Sequence, residues 1–238
     1  MSAFIDVPAP DFESSVTFWS RVSGYSPSAR RGADEEFLTL VPPAGDDHLR
    51  MQRVGDRSPR VHLDLHTPDP RSAAERADSL GAVEVADLGH VVMRSPGGRT
   101  FCLVTHPADR VAPPARWPDG SRSIIDQVCL DIPGAAFDAE AAFWQSLLEW
   151  PHVESSYAEF ERLVRPDGQA LRVLLQRVGD DGPVRSHLDL ACSSRERELV
   201  RHVGLGAGVV ADHDSWTVMS DPAGMAYCLT DRSPDQLA

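Results

Sequence analysis

The sequence predicts an α+β protein made of two tandem domains, each a pair of βαβββ modules forming a curved, cup-shaped mixed sheet with helices on its outer face. Three repeated segments carry that expectation. Phe12, Val16, Phe18 and Trp19 recur as Phe137, Ala141, Phe143 and Trp144. Gln52-Arg53-Val54-Gly55-Asp56 recurs as Gln176-Arg177-Val178-Gly179-Asp180, and His62-Leu63-Asp64-Leu65 as His187-Leu188-Asp189-Leu190. A spacing that stays at 124 or 125 positions marks a duplicated domain. Within each copy the order strand, helix, strands occurs twice, in halves of about 50 residues.

The elements follow in order. Phe4 to Val7 reads as a strand, and Asp11 can cap a helix whose apolar Phe12, Val16 and Trp19 keep the i, i+4, i+7 spacing. Gly24 stops it. Strands at Glu36 to Val41 and His48 to Arg53 flank a turn at Pro42 to Asp47. The second half opens with Val61 to His66. Thr67 or Asp69 caps the next helix, Pro70 suits its first turn, and Ala73, Ala77 and Leu80 line one face before Gly81. Strands at Val83 to Ala86, Gly89 to Arg94 and Thr100 to Thr105 complete the copy, with Ser95-Pro96-Gly97-Gly98 as a hairpin turn.

The second copy reads as strand Ile125 to Asp131, helix Phe137 to Leu148, and strands Glu159 to Val164 and Ala170 to Arg177. It continues with strand Arg185 to Leu190, helix Arg195 to Val203, and strands Ser215 to Ser220 and Ala226 to Thr230, with Asp221-Pro222-Ala223-Gly224 as the turn. Proline density between the copies places a stiff linker at 109–122. The expected domains are 1–108, with modules 1–55 and 56–108, and 123–232, with modules 123–180 and 181–232.

Composition narrows the chemistry. All 23 basic residues are arginine, so Schiff-base and phosphate-loop lysines are excluded. A net charge of −13 disfavours nucleic acid and acidic membranes and favours a cationic or neutral small molecule. Cys102, Cys129, Cys192 and Cys228 show no CxxC spacing and read as reduced, buried thiols of a cytoplasmic protein. No apolar run approaches the ~18 residues of a membrane span.

Strand alternation assigns faces. Leu63 and Leu65 point to the helices, so His62, Asp64 and His66 face the concavity; likewise His187 and Asp189 oppose Leu188 and Leu190. Gln52 shares a face with Arg50, Gln176 with Arg172, and Cys102 and Cys228 oppose apolar neighbours. Asp64 and Asp189 are expected to pair with Arg53, Arg177 or another strand arginine, because a buried carboxylate needs a partner. Phe18-Trp19 and Phe143-Trp144 read as helix-to-sheet packing, and Trp216 as the aromatic most free to touch a ligand.

The Phe-Trp helices, the His-Leu-Asp-Leu strands and the Pro-Gly turns leading into Phe101-Cys102-Leu103 and Tyr227-Cys228-Leu229 resemble the glyoxalase/bleomycin-resistance/extradiol-dioxygenase superfamily, also called vicinal oxygen chelate proteins. That resemblance implies a cup holding either a metal centre or a small ligand. Its catalytic members bind a divalent metal through first-strand His or Gln and last-strand glutamates. Here the corresponding residues are Gln127, His187, Gln176 and Cys228 in the second copy and Ser2, His62, Gln52 and Cys102 in the first. Without the glutamates a hard cation lacks anionic oxygen, and zinc on His187, Gln127 and Cys228 is the remaining metal option.

The expected function is therefore small-molecule binding of the bleomycin-resistance type, involving His62, Asp64, His66, Gln52, Arg50, His187, Asp189, Gln176, Arg172 and Trp216. The alternative is a metal-dependent lyase, isomerase or dioxygenase-like enzyme. A third reading makes the protein a scaffold with one passenger half, and Ser2 points to the first. Two domains in one chain are compatible with a monomer or a homodimer.

Overall fold

The computed structural model describes residues 1–55, 58–155, 157–179 and 181–235. Asp56 and Asp180, which close the repeated Gln-Arg-Val-Gly-Asp motif beside the expected module boundaries, lie outside them.

The first copy forms β1 (Ser2–Pro8), α1 (Phe12–Ser23), β2 (Ser26–Pro27), β3 (Phe37–Val41) and β4 (Leu49–Val54). It continues with β5 (Arg60–His66), α2 (Pro70–Ser79), β6 (Val83–Asp87), β7 (Val91–Arg94) and β8 (Thr100–Val104). These strands make one open sheet in the order β2-β3-β4-β1-β5-β8-β7-β6, so the two modules join where β1 lies antiparallel to β5.

After β9 (Ala115–Arg116), the second copy repeats the pattern. Its elements are β10 (Arg122–Pro133), α3 (Phe137–Leu148), β11 (His152–Glu154), β12 (Phe160–Leu163), β13 (Arg172–Val178), β14 (Arg185–Cys192), α4 (Arg195–Gly204), β15 (Gly208–Asp212), β16 (Trp216–Ser220) and β17 (Ala226–Thr230). Its sheet runs β11-β12-β13-β10-β14-β17-β16-β15, with β9 paired to the start of β10.

The short strands β2 and β11, and β15 in the second copy, are absent from the sequence reading. Each lies at or next to a sheet edge, where few apolar residues are needed and the period-2 signal is lost.

Local chemistry explains the helix ends. Asp69 accepts hydrogen bonds from the backbone N–H groups of Arg71 and Ser72, and Ser194 accepts from that of Arg197. Asp11, the expected cap of α1, makes no such bond; the chain enters α1 through a 3-10 turn, Ala9–Asp11. Helix α1 ends at Gly24 with φ 74°, whereas α3 ends at Glu149 with φ 55°, a left-handed position that is costly for a residue with a Cβ. On α2 the fully buried positions are Ala74 and Ala77, with Ala73 and Leu80 packed partly against the core.

The apolar core takes Ala3, Ile5 and Val7 from β1 and Val128, Leu130 and Ile132 from β10, and leaves their strand neighbours on the opposite, concave face. The two copies are clasped through their first helices. Phe18 and Trp19 of α1 pack on Tyr227 of β17, and Phe143 and Trp144 of α3 on Phe101 of β8. These helices thus pack across the seam as well as on their own sheets.

The linker is more than a spacer. Its residues bond Asp46, and the Trp117 ring lies 3.6 Å from the Arg201 guanidinium. Among the described residues no helix is long and apolar enough to cross a membrane.

Candidate functional site

The strand register aligns the two cups residue by residue. Ser2 lies opposite Asp64 and Gln127 opposite Asp189; Phe4 lies opposite His62 and Cys129 opposite His187. In the first cup the Phe4 ring stacks on His62, centroids 4.7 Å apart and 8° from parallel, with Arg50 above it at 5.8 Å. That ring occupies the space which the Cys129 thiol leaves open in the second cup.

The second cup encloses a cavity of about 160 Å³, bounded by Gln127, Cys129, Gln176, His187, Asp189 and Cys228. Trp216, Phe160 and Tyr157 form an aromatic wall on its far side, meeting edge to face at 5.6–6.0 Å between centroids.

Both histidines are held between two carboxylates. His62 Nδ1 lies 3.0 Å from Asp6 Oδ2 and Nε2 lies 3.6 Å from Asp64 Oδ1. His187 Nδ1 lies 3.0 Å from Asp131 Oδ2, and Nε2 lies 3.2 Å from Asp189 Oδ1. Gln127 Nε2 donates to the other Asp189 oxygen at 2.5 Å.

The aspartates find partners other than Arg53 and Arg177, and for Asp64 one of them is another strand arginine, as the sequence reading allowed. Arg53 donates to the Asp34 carbonyl, and Arg177 pairs with Asp138 while lying over Phe137. Of the strand arginines, Arg50 approaches Asp64, at 3.9 Å. Asp6 and Asp131 escaped the sequence reading, although they share the repeat spacing. They sit on β1 and β10, and only the register of the neighbouring strand brings them to the imidazoles.

Electrostatics separates the cups. Burial disfavours the His187 imidazolium, but its neighbours, Asp131 and Asp189 among them, outweigh that effect and hold its pKa well above the ordinary histidine value. Burial would raise the Asp189 pKa as well, and the facing His187 outweighs it, leaving the carboxyl below its usual range. In the first cup burial dominates, and Asp64 is pushed up despite His62 and Arg50. All four cysteines are free and buried; burial pushes Cys102 up to about 12 and raises Cys228 as well.

The remaining expected site residues scatter. His66 bonds Ser2 and lines a separate cleft beside α2, Trp150 and Gln169. Arg50 ties back to Asp47, and Gln52 lies on β4 opposite Phe37. Arg172 lies outside the cavity wall, its Nε 3.4 Å from Asp126.

The donor set tests the fit of a metal. His187, Asp189 and Cys228 offer nitrogen, oxygen and sulfur within 4.8 Å of one another, and the buried Asp189 Oδ1 has only the His187 Nε2 contact at 3.2 Å. Asp131 at Nδ1 is the outer carboxylate that usually orients a ligating histidine. This set fits a borderline cation such as zinc better than a hard one, which would want more anionic oxygen.

A family model described as a glyoxalase-like domain matches residues 2–104 and 127–230. No curated protein matches the chain. Among solved structures, a Mn(II)-bound glyoxalase from Novosphingobium aromaticivorans is similar at TM-score 0.68 and 16% identity, over 100% of this chain and 84% of that one. A triple mutant of 4-hydroxymandelate synthase from Streptomyces coelicolor is similar at TM-score 0.61 and 17% identity, over 98% and 92% of the two chains. A 2,2',3-trihydroxybiphenyl 1,2-dioxygenase from Sphingomonas wittichii gives TM-score 0.61 at 15% identity, over 96% and 88%. At these identities the likeness concerns the fold.

Proposed function

The chain belongs to the glyoxalase-like domain family, and from that premise we propose that it is a small-molecule-binding protein whose working site is the second cup, without a hard divalent metal. The observation that carries this reading is the exchange of Phe4 for Cys129 at one register position, which fills one cup and opens the other. A cavity of about 160 Å³ is close to the ~150 Å³ known to admit a benzene ring. Its wall suits such a ring on the aromatic side and a polar substituent on the histidine side. Burial of the His187 ion pair preorganises that polar end, so little ordering is needed on binding.

The test is a fragment screen of small aromatic compounds against the full chain, read at the indole N–H of Trp216. Saturable shifts there support the reading. No saturable shift from any fragment counts against it.

A second reading, a metal-dependent lyase, isomerase or dioxygenase-like enzyme, draws on the His187, Asp189 and Cys228 donors and on the likeness in fold to a Mn(II)-bound glyoxalase and a dioxygenase. Bound there, zinc would polarise a substrate oxygen as a Lewis acid. His187 Nε2, Asp189 and Cys228 would hold it, and Asp131 would fix the imidazole. Elemental analysis of protein purified without chelators separates the readings. Stoichiometric zinc that is lost in Cys228→Ser favours the enzyme; metal neither present nor taken up on addition favours the binder.

A further inference from the structure

The second cup differs from the first in more than its opening. By register, Arg162 stands where the first copy has Thr39, Arg172 where it has His48, and Arg232 where it has His106. Arg165, two residues beyond Leu163, falls at the place of Pro42. Four arginines thus gather at one corner of the second cup; the first copy has none at those four positions, and its corner is reached instead by Arg50, opposite Thr39, and by Arg31, which donates to Thr39 Oγ1. The duplication acts as an internal control: a sheet of this type folds with Thr, Pro and His at these four positions.

Arg172 and Arg232 face Asp126, whereas Arg162 and Arg165 find no carboxylate among the described residues. Asp126, expelled from the ladder by a bulge in β10, takes two hydrogen bonds from Arg232 at 3.0 and 2.7 Å. Arg162 lines the cavity and meets no carboxylate among the described residues. Arg165 Nη1 bonds the Ala170 carbonyl, while its Nη2 is buried without a partner. Burial, and then the charge of neighbouring arginines, holds Arg165 below the ordinary guanidinium value. Although the chain carries a net charge of −13, four guanidinium groups surround one carboxylate, Asp126, at this corner.

We propose that the ligand of the second cup is a small anion, a carboxylate on a flat aromatic body, with its acid group on Arg162 and Arg232 and its ring against Trp216 and Phe160. The planar guanidinium fork matches a carboxylate, and the aromatic wall matches the ring. This inference rests on the second cup being a binding site and reverses the preference for a cation that composition alone suggests.

Three probes of one shape and different charge test it: benzoate, benzamide and benzylammonium, titrated into the full chain and followed at Trp216. Benzoate is expected to bind at least roughly tenfold more tightly than benzamide, with benzylammonium weakest, since hydrogen bonds to charged groups are the stronger ones. Arg162→Thr, which installs the residue type of the first copy at an exposed position, is expected to weaken benzoate about tenfold and leave benzamide unchanged. Equal binding of the three, or a preference for benzylammonium, overturns the anion while leaving the cup as a site. Failure of all three to reach Trp216 removes the cup reading and this inference with it.

Discussion

Trp19 donates its indole N–H to Asp221 Oδ2 at 3.0 Å, joining the first helix of one copy to the last hairpin turn of the other. The equivalent Trp144 donates to Glu140 Oε1 at 2.9 Å, and Glu140 in turn accepts from Ser95 Oγ and the Gly97 N–H. Asp221 does the same work alone, accepting from the backbone of Ala223 and Met225. Each seam therefore holds one buried carboxylate, on the turn in the first case and on the helix in the second. The reciprocal positions are Ser15 and Ser95. Pairing two first copies would leave a buried indole N–H without its carboxylate, and pairing two second copies would press Glu140 against Asp221. This asymmetry favours pairing of a first copy with a second over pairing of like copies.

Moving the second seam's carboxylate tests that relationship. Glu140→Ser is expected to destabilise the protein by about 3 kcal/mol, because it strands the Trp144 and Gly97 donors in a buried site. Ser95→Asp alone is expected to destabilise by crowding two carboxylates. The double substitution copies the first seam and should recover more than half of the loss. Denaturant unfolding gives the cycle, and additive losses would contradict the account.

Exchanging the plug tests the cups. Cys129→Phe is expected to place a ring on His187 as Phe4 lies on His62, abolishing ligand binding while the protein stays folded. Phe4→Cys empties the first cup and is expected to cost about 3 kcal/mol, as large-to-small core changes do. Calorimetry of binding and thermal unfolding reports both. Retained affinity in Cys129→Phe would place the ligand elsewhere.

The His187 and Asp189 pair gives a pH window. A histidine raised above its ordinary 6.5 contributes stability that is complete below that value and fades as pH rises through the folded pKa. An aspartate lowered below 3.8 contributes above that value and fades as pH falls through its folded pKa. The stability difference between the protein and His187→Gln should therefore be largest between 3.8 and 6.5 and shrink on both sides. A difference independent of pH would show that the ion pair is absent. His66, which burial pushes down to about 3, adds a separate loss of stability as pH falls below 6.5, present in both proteins.

Burial also predicts the thiol chemistry. Desolvation raises the pKa of Cys102, Cys129, Cys192 and Cys228, so reaction with a thiol reagent should be slow in the native protein and fast after unfolding. One thiol reacting at its unfolded rate in native protein would contradict the packing, and Cys129, which borders the cavity, is the most informative to identify.

Much of this was legible in the sequence because duplication supplies its own alignment. Helix Phe137–Leu148 and strand Ala226–Thr230 fall where periodicity places them; alternation puts His187, Asp189, Gln176 and Cys228 on one face and the family resemblance adds Gln127, and all five line the cavity with Trp216. What could not be read depends on which strands lie side by side. Asp131 and His187 are 56 residues apart and meet only because β10 lies beside β14. Phe4 and Cys129 are both ordinary apolar strand residues until the cup is seen to be filled by one of them. The arginine corner needs a bulge at Asp126 that no residue pattern announced.

The most direct test of the working site follows all five tryptophan indole N–H signals of 15N-labelled protein during a benzoate titration, in the unmodified chain and in Cys129→Phe. A saturable shift centred on Trp216 that vanishes in Cys129→Phe is the predicted result. A shift centred on Trp150, beside the α2 cleft, with Trp216 unmoved, or a Trp216 shift that survives the plug, would contradict the assignment of the second cup.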